Sequence, residues 1–284
     1  MATTSELRHL LSLVRFDTRL NCMEGLTAFH SLLEQDSDGS VLRFLNEELP
    51  KLEGKKRGGI AYALAEHHRQ AGNLKSLQLL YLDDDVEVKA SVLNALWGHP
   101  GSDPEMGPGI VQLAIDGANH ASPTVRTEAC SVFQNQCGWK VDVSGAIDPL
   151  HRLLSDDSDR VRSQAACAIG NLAKGKYNLS EHVAQLGQNA RREDISVRNY
   201  SAWALWQITR NKQDIGVAVP ELVQLLADND DWNDPRKNAA GALLHHAKKS
   251  SQNREQVMQC LKMVQLDPKY KEIRRLQEGL ASKS

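Results

Sequence analysis

The sequence is poor in the features that most often announce a function. Its 284 residues include five cysteines, Cys22, Cys130, Cys137, Cys167 and Cys260, scattered and without a CxxC pair. An odd, dispersed set excludes a disulfide framework and a cysteine zinc site, and leaves these as small buried or half-buried residues. No apolar run approaches the roughly 20 residues that span a bilayer. The opening MATTSELRHLLSLVRFDTRL carries charges every few positions, without the uninterrupted apolar core of a secretory signal. The expectation is a cytoplasmic protein with no membrane partner. A formal charge of -2 supplies no field to hold a phosphate backbone, which argues against nucleic acid.

Catalytic signatures are missing as well. There is no P-loop, no GxGxxG after a strand, no GxSxG elbow and no recognisable Cys/His dyad. His67-His68 and His245-His246 are adjacent pairs, turned about 100 degrees apart on a helix and lacking the i, i+4 spacing of helical zinc ligands. No catalytic residue, metal or cofactor is expected. Alternation of period two with β-branched enrichment is also absent, so strands are not expected and the fold class is all-α.

What the sequence does have is a repeat. VRSQAACAIGNL from Val161 recurs as VRNYSAWALWQI from Val197, VRTEACSVFQNQ from Val125 and PRKNAAGALLHH from Pro235, with weaker copies VKASVLNALWGH from Val88 and KRGGIAYALAEH from Lys56. Successive starts lie 32, 37, 36, 36 and 38 residues apart, and a seventh unit, TRLNCMEGLTAF, begins at Thr18. Each copy follows another apolar helical stretch, such as AIDPLHRLL, VPELVQLLA or GIVQLAIDG, across a short acidic turn. The unit is a helix pair, and the acids of DDDVE, SDDSD and ADNDDWND are placed to cap the second helix and oppose its dipole.

GAIDPLHRLLSDDSDRVRSQAACAIGNLAKG resembles an armadillo repeat, and VRNYSAWALWQITRN and RKNAAGALLHHA resemble the last helix of that unit. The DxxVR start and the spacing near 36 are closer to the two-helix HEAT repeat. The resemblance implies a HEAT/armadillo-type fold: a right-handed superhelical solenoid of about six to seven repeats. We expect one solenoid domain over 1–284, with a divergent repeat or cap at 1–54, core repeats at 55–250 and a cap at 251–284, because terminal repeats need a polar outer face. The fold is specific but the task is not.

Helix periodicity separates the faces. Val161, Ala165, Ala168, Ile169 and Leu172 share one side of the second helix and are expected inward, leaving Ser163, Cys167, Gly170 and Lys174 outward on the expected concave surface. The same offsets place Asn199, Trp203, Trp206 and Arg210 on the free face, with Asn94, Trp97 and Tyr62 before them and Lys237, Leu244 and Lys248 after. Exposed tryptophans beside an arginine are typical anchors for a partner; the alternative reading is that neighbouring helices or inter-repeat packing bury them. One turn on lies an amide and imidazole column: Asn135, Asn171, Gln207 and His245. In peptide-binding armadillo proteins a Trp followed four residues later by Asn holds an extended backbone, and Trp203 with Gln207 resembles that pair. Ser131, Cys167 and Gly241 take the Trp position in other copies, so the ladder is not regular. The resulting expectation is a non-enzymatic scaffold that binds a protein or peptide segment on its concave face, through Tyr62, Trp97, Asn135, Asn171, Asn199, Trp203, Trp206, Gln207, Arg210 and His245.

Arg57, Lys89, Arg126, Arg162, Arg198 and Arg236 recur at one position and are expected to form a structural ladder to the adjacent turns, the alternative being a basic stripe for an acidic ligand. The competing expectation is an enzyme or enzyme subunit. Deoxyhypusine hydroxylase, a HEAT-repeat enzyme, holds iron with His-Glu pairs, but the matching positions are Thr127-Glu128, Ser163-Gln164 and Asn199-Tyr200. Solenoids resembling HEAT-like DNA glycosylases or chromophore lyases remain as fold analogies, with Trp203, Trp206 and Asp214 as the residues the first would use.

Overall fold

A computed structural model describes residues 3–13, 27, 29–98, 106–175, 177–228 and 233–282. The repeat starting at Thr18 falls almost wholly outside these, as do Cys22 and most of the 228–234 turn. Every regular element among the described residues is helical. The chain divides into two compact units, Met1–Asp142 and Val143–Ser284.

In the first unit the second helices are Gly54–Gln70, Val86–Ala95 and Pro123–Gly138, and the intervening first helices are Leu74–Tyr81 and Met106–Ala118. Second helices pack on one another: Gly54–Gln70 lies on Val86–Ala95, which lies on Pro123–Gly138. The interior is largely aliphatic, with Ile60, Leu64, Val88, Leu93 and Ile110 fully buried alongside the ring of Phe133. Each such side chain contributes roughly 1.5–3 kcal/mol by leaving water. Thr4–Leu13 and Ser40–Glu48 precede these pairs and are joined by an Arg8–Glu48 ion pair (3.6 Å).

The second unit is more regular. Three first helices, Ile147–Leu153, Val183–Asn189 and Val219–Ala227, are each entered through one 3₁₀ turn, at Ser144–Ala146, Ser180–His182 and Gly216–Ala218, spaced 36 residues apart. The second helices are Asp159–Leu172, Ile195–Arg210 and Asn233–Ala247. The middle one packs against both others. Ala165, Ala166 and Ala168 are fully buried, so the small inner face expected at 165 and 168 is present and extends to 166. A methyl there lets two helix backbones approach where a leucine would hold them apart.

The acidic turns cap as their position requires. Asp85 Oδ1 accepts from the Glu87 amide (2.7 Å) and Asp194 Oδ1 from the Val197 amide (2.9 Å). The basic column is a structural ladder. Arg57 pairs with Asp83 (2.6 Å) and Asp85 (3.8 Å), and Lys89 donates to the Tyr81 carbonyl (2.8 Å). Arg126 donates to the carbonyls of His120 and Ala121, Arg162 to that of Asp156, Arg198 to those of Arg192 and Glu193, and Arg236 to that of Asp228. Arg57 pairs with carboxylates of the next repeat's turn, whereas the other cations satisfy carbonyls that the turn before their own helix leaves open.

The periodicity search did not reach two further sets of contacts. Arg274, in the terminal helix Lys271–Ala281, donates to the carbonyls of Pro268 and Lys269 (2.7 and 3.0 Å), which repeats the ladder in a segment whose sequence reads only as a cap. Amides also bridge one repeat to the next. Asn189 donates to the Leu154 carbonyl (2.8 Å), Gln213 to that of Tyr177 (2.7 Å) and Gln256 to that of Gly216 (2.9 Å), and in the first unit Gln136 donates to that of Leu96 (3.3 Å). The sequence separations of 35, 36, 40 and 40 residues are those of neighbouring repeats.

Candidate functional site

The face of interest in the second unit is made by the C-terminal halves of its three second helices. Helix geometry puts positions 203, 206 and 210 of the middle helix on one side, and the structure shows what that side meets. Trp203 is half-buried and leans back on Asp159–Leu172: a Cβ built at Gly170 would lie 2.2 Å from Cζ3 of its indole. Trp206, also half-buried, leans forward on Asn233–Ala247, where a Cβ at Gly241 would lie 2.8 Å from its Cε2. The two indoles therefore splay apart, each seated on a glycine of the adjacent repeat. No larger residue fits at either position without displacing a ring.

This corrects the expectation for four residues, Ser163, Gly170, Leu244 and Gln207. Gly170 is buried under the Trp203 ring of the next repeat, and Ser163 (4 % exposed) is buried with its hydroxyl turned to the Arg160 carbonyl. Leu244 is half-buried beneath Lys271–Ala281, at Gly279. Gln207 is 5 % exposed: it sits on the side of the helix next to buried Ala204 and Ile208, and its Oε1 accepts from Arg210 Nη1 (3.3 Å). It positions Arg210 and is not displayed to a partner.

Cations lie over both rings. Lys174 Nζ is 5.4 Å from the Trp203 ring centre and is held by a 2.9 Å bond to Asn171 Oδ1. The Arg210 guanidinium is 6.0 Å from the Trp206 ring, and the exposed His245 imidazole is 6.4 Å from it at 51°. Burial, then Lys248, Arg210 and Lys249 nearby, hold the His245 pKa below its ordinary value. Asn171 also donates to the Cys167 carbonyl (3.2 Å), and Asn199 Oδ1 accepts from Asn238 (2.8 Å), so both amides are engaged within the solenoid while remaining partly open. Burial pushes the Cys167 thiol up to about 11, with Lys174 opposing, so the thiolate that a nucleophile needs is scarce at neutral pH.

Tyr62, Trp97 and Asn135 belong to the first unit. Tyr62 and Asn135 are half-buried, Asn135 donating to the Ser131 carbonyl (3.3 Å), whereas Trp97 is 57 % exposed just past Val86–Ala95. The Arg69 guanidinium lies against Gly98, 2.8 Å from where a Cβ would be, and pairs with Glu66 at 2.5 Å. Trp139, which the repeat alignment does not select, is 49 % exposed. Among the described residues no group of three His, Cys, Asp or Glu side chains is arranged to hold a metal, and no helix is long and apolar enough to cross a membrane.

The family model of the armadillo/beta-catenin-like repeat matches residues 141–174. No curated protein matches the chain. Among solved structures, an engineered protein superposes with a TM-score of 0.66 at 20 % identity, covering 99 % of this chain and 79 % of that one. A designed armadillo repeat protein in complex with the peptide (KR)4 gives 0.58 at 21 % identity, covering 73 % and 97 %. Computationally designed armadillo repeat proteins for modular peptide recognition give 0.57 at 21 %, covering 73 % and 98 %. With the helix pairs and the ladder, these likenesses show an all-α fold of the armadillo/HEAT type, and the match to the repeat family itself is confined to residues 141–174.

Proposed function

We propose that the chain is a binding scaffold with no reaction centre of its own, and that it takes a protein or peptide segment along the second-helix face of the Val143–Ser284 unit. The observation that carries this reading is the pair of half-buried indoles, Trp203 and Trp206, each seated on a glycine and crossed by a cation. Rings fixed by packing lose little freedom on binding, and large aromatics with arginine are the side chains that anchor interfaces. Asn171 and Asn199 flank them with amides that can pair with a main chain. One designed armadillo protein of similar fold is described in complex with a peptide and others as designed for peptide recognition, which favours a segment over a small molecule as ligand.

The test is selection from a displayed random peptide library on the wild-type chain, followed by affinity measurement of the enriched peptides. Loss of a central anchor costs about 2 kcal/mol, or roughly thirtyfold. Trp203→Ala/Trp206→Ala should therefore weaken the enriched peptides by at least that factor while its helical circular dichroism is kept. Equal binding by a folded double variant, or no enrichment at all, rejects the reading.

A further inference from the structure

We propose that this face selects an acidic segment. The inference rests on the reading of the Trp203–Trp206 face as a peptide groove and adds the chemistry of the ligand.

Four basic side chains accompany the two indoles: Lys174, Arg210, His245 and Lys248. Lys174, Arg210 and Lys248 make no ion pair among the described residues, although Arg57, Arg69, Arg162 and Arg191 elsewhere in the chain all do. Their partners are neutral: Lys174 bonds an amide oxygen, Arg210 bonds the Gln207 amide, and both lie over rings. Several carboxylates of the unit are engaged elsewhere. Asp156 and Asp194 serve turn amides, Asp159 pairs with Arg162, Asp228 pairs with Arg191, and Asp214 approaches His246. The C-terminal halves of the three second helices carry no acid at all.

Unneutralised cations held over aromatic faces are a costly arrangement in an isolated protein and a useful one for a carboxylate ligand. The ring fixes the cation's position, and the carboxylate gains a charge-assisted hydrogen bond without the cation losing further freedom. Burial is the main cause of the lowered His245 pKa, and Lys248 and Arg210 add to it. Like charge opposite this cluster would be excluded, so the face should refuse the alternating Lys-Arg peptide seen with a designed relative of the same fold.

The experiment is the same library selection, read for charge, followed by anisotropy titrations of an enriched peptide and of an alternating Lys-Arg peptide of equal length. Net-negative enriched peptides are expected, binding at least about thirtyfold tighter than the Lys-Arg peptide and weakening about tenfold or more as salt rises from about 0.05 to 0.5 M, where the Debye length falls to a few ångströms. The Lys174→Glu/Arg210→Glu/Lys248→Glu variant, altered only at exposed side chains, should lose the acidic peptide and gain the Lys-Arg one. Enrichment of neutral or basic peptides that still depend on Trp203 and Trp206 overturns the acidic preference and leaves the groove standing. No enrichment rejects both. A single-stranded oligonucleotide that displaces the enriched peptide at a lower concentration than the free peptide also overturns the proposal, in favour of a phosphate backbone.

Discussion

Gly170→Ala is a one-carbon change whose sign the structure decides. The new methyl would lie 2.2 Å from Cζ3, 2.5 Å from Cε3 and 3.1 Å from Cη2 of Trp203. All three are atoms of one rigid ring, so the whole indole must move. In an open helix the same change stabilises by about 1 kcal/mol, through propensity and the lost freedom of the unfolded glycine. Here overpacking costs about 1–3 kcal/mol, and the net effect is a loss of up to about 2 kcal/mol. Removing the ring should restore the ordinary sign, so Gly170→Ala made on Trp203→Ala should stabilise by about 1 kcal/mol. The four-way cycle, read by urea midpoints under circular dichroism, is expected to show a coupling of about 1–3 kcal/mol between residues 170 and 203. Equal stabilisation by Gly170→Ala in both backgrounds would mean that the indole does not occupy this glycine, and the description of the face would fail with it.

Three further outcomes follow from the same structure. Ala168→Leu, at a fully buried position on the inner stripe, should cost about 1–3 kcal/mol by overpacking; an unchanged melting temperature would contradict the inward assignment. Arg236 is 1 % exposed, donates to the Asp228 carbonyl and stacks 3.9 Å from the Tyr270 ring centre, so Arg236→Lys keeps charge but loses the plane and should destabilise by about 1–2 kcal/mol, with Tyr270→Leu removing most of the difference between arginine and lysine. Burial, then His67, lowers the His68 pKa to about 4, and burial lowers those of His182 and His246. Because the folded state binds protons less readily than the unfolded state, stability is full above about pH 6.5 and falls as pH drops towards about 4. The slope is at most about 1.4 kcal/mol per pH unit for each histidine, and His68→Phe should flatten it; a urea midpoint constant between about pH 7 and 5 would contradict the burial.

The solenoid was legible because its causes are local and repeated. Val161, Ala165, Ala168 and Leu172 recur in register, and the arginine ladder follows from one position near each second-helix start. The terminal ladder member Arg274 was not legible, since its helix lacks the Val-Arg start and the alanines that carry the pattern. The bridging amides Asn189, Gln213 and Gln256 were missed because they sit outside the second-helix window that defines the repeat. At the site, periodicity found the tryptophans but left open whether neighbouring repeats cover them. What it could not supply was the lean of each ring across a repeat boundary, which buries Gly170. The sequence did contain a signal for this: a glycine three positions after the Trp203 register in one repeat, and one at that register itself in Gly241. It becomes readable only when adjacent repeats are treated as touching surfaces. Gln207 was misread for a related reason, as the amide of a Trp-Asn pair, when one step of helix rotation turns it inward to Arg210.

The central claim is that the second-helix face of the Val143–Ser284 unit is where a partner lies. Carbene footprinting of the chain with and without a saturating enriched peptide, read by mass spectrometry at residue level, tests it most directly. Protection is predicted at Lys174, Trp203, Trp206, Arg210 and His245, with the first helices Ile147–Leu153, Val183–Asn189 and Val219–Ala227 labelled equally in both states. Protection of those first helices, with Trp203 and Trp206 unchanged, would contradict the account.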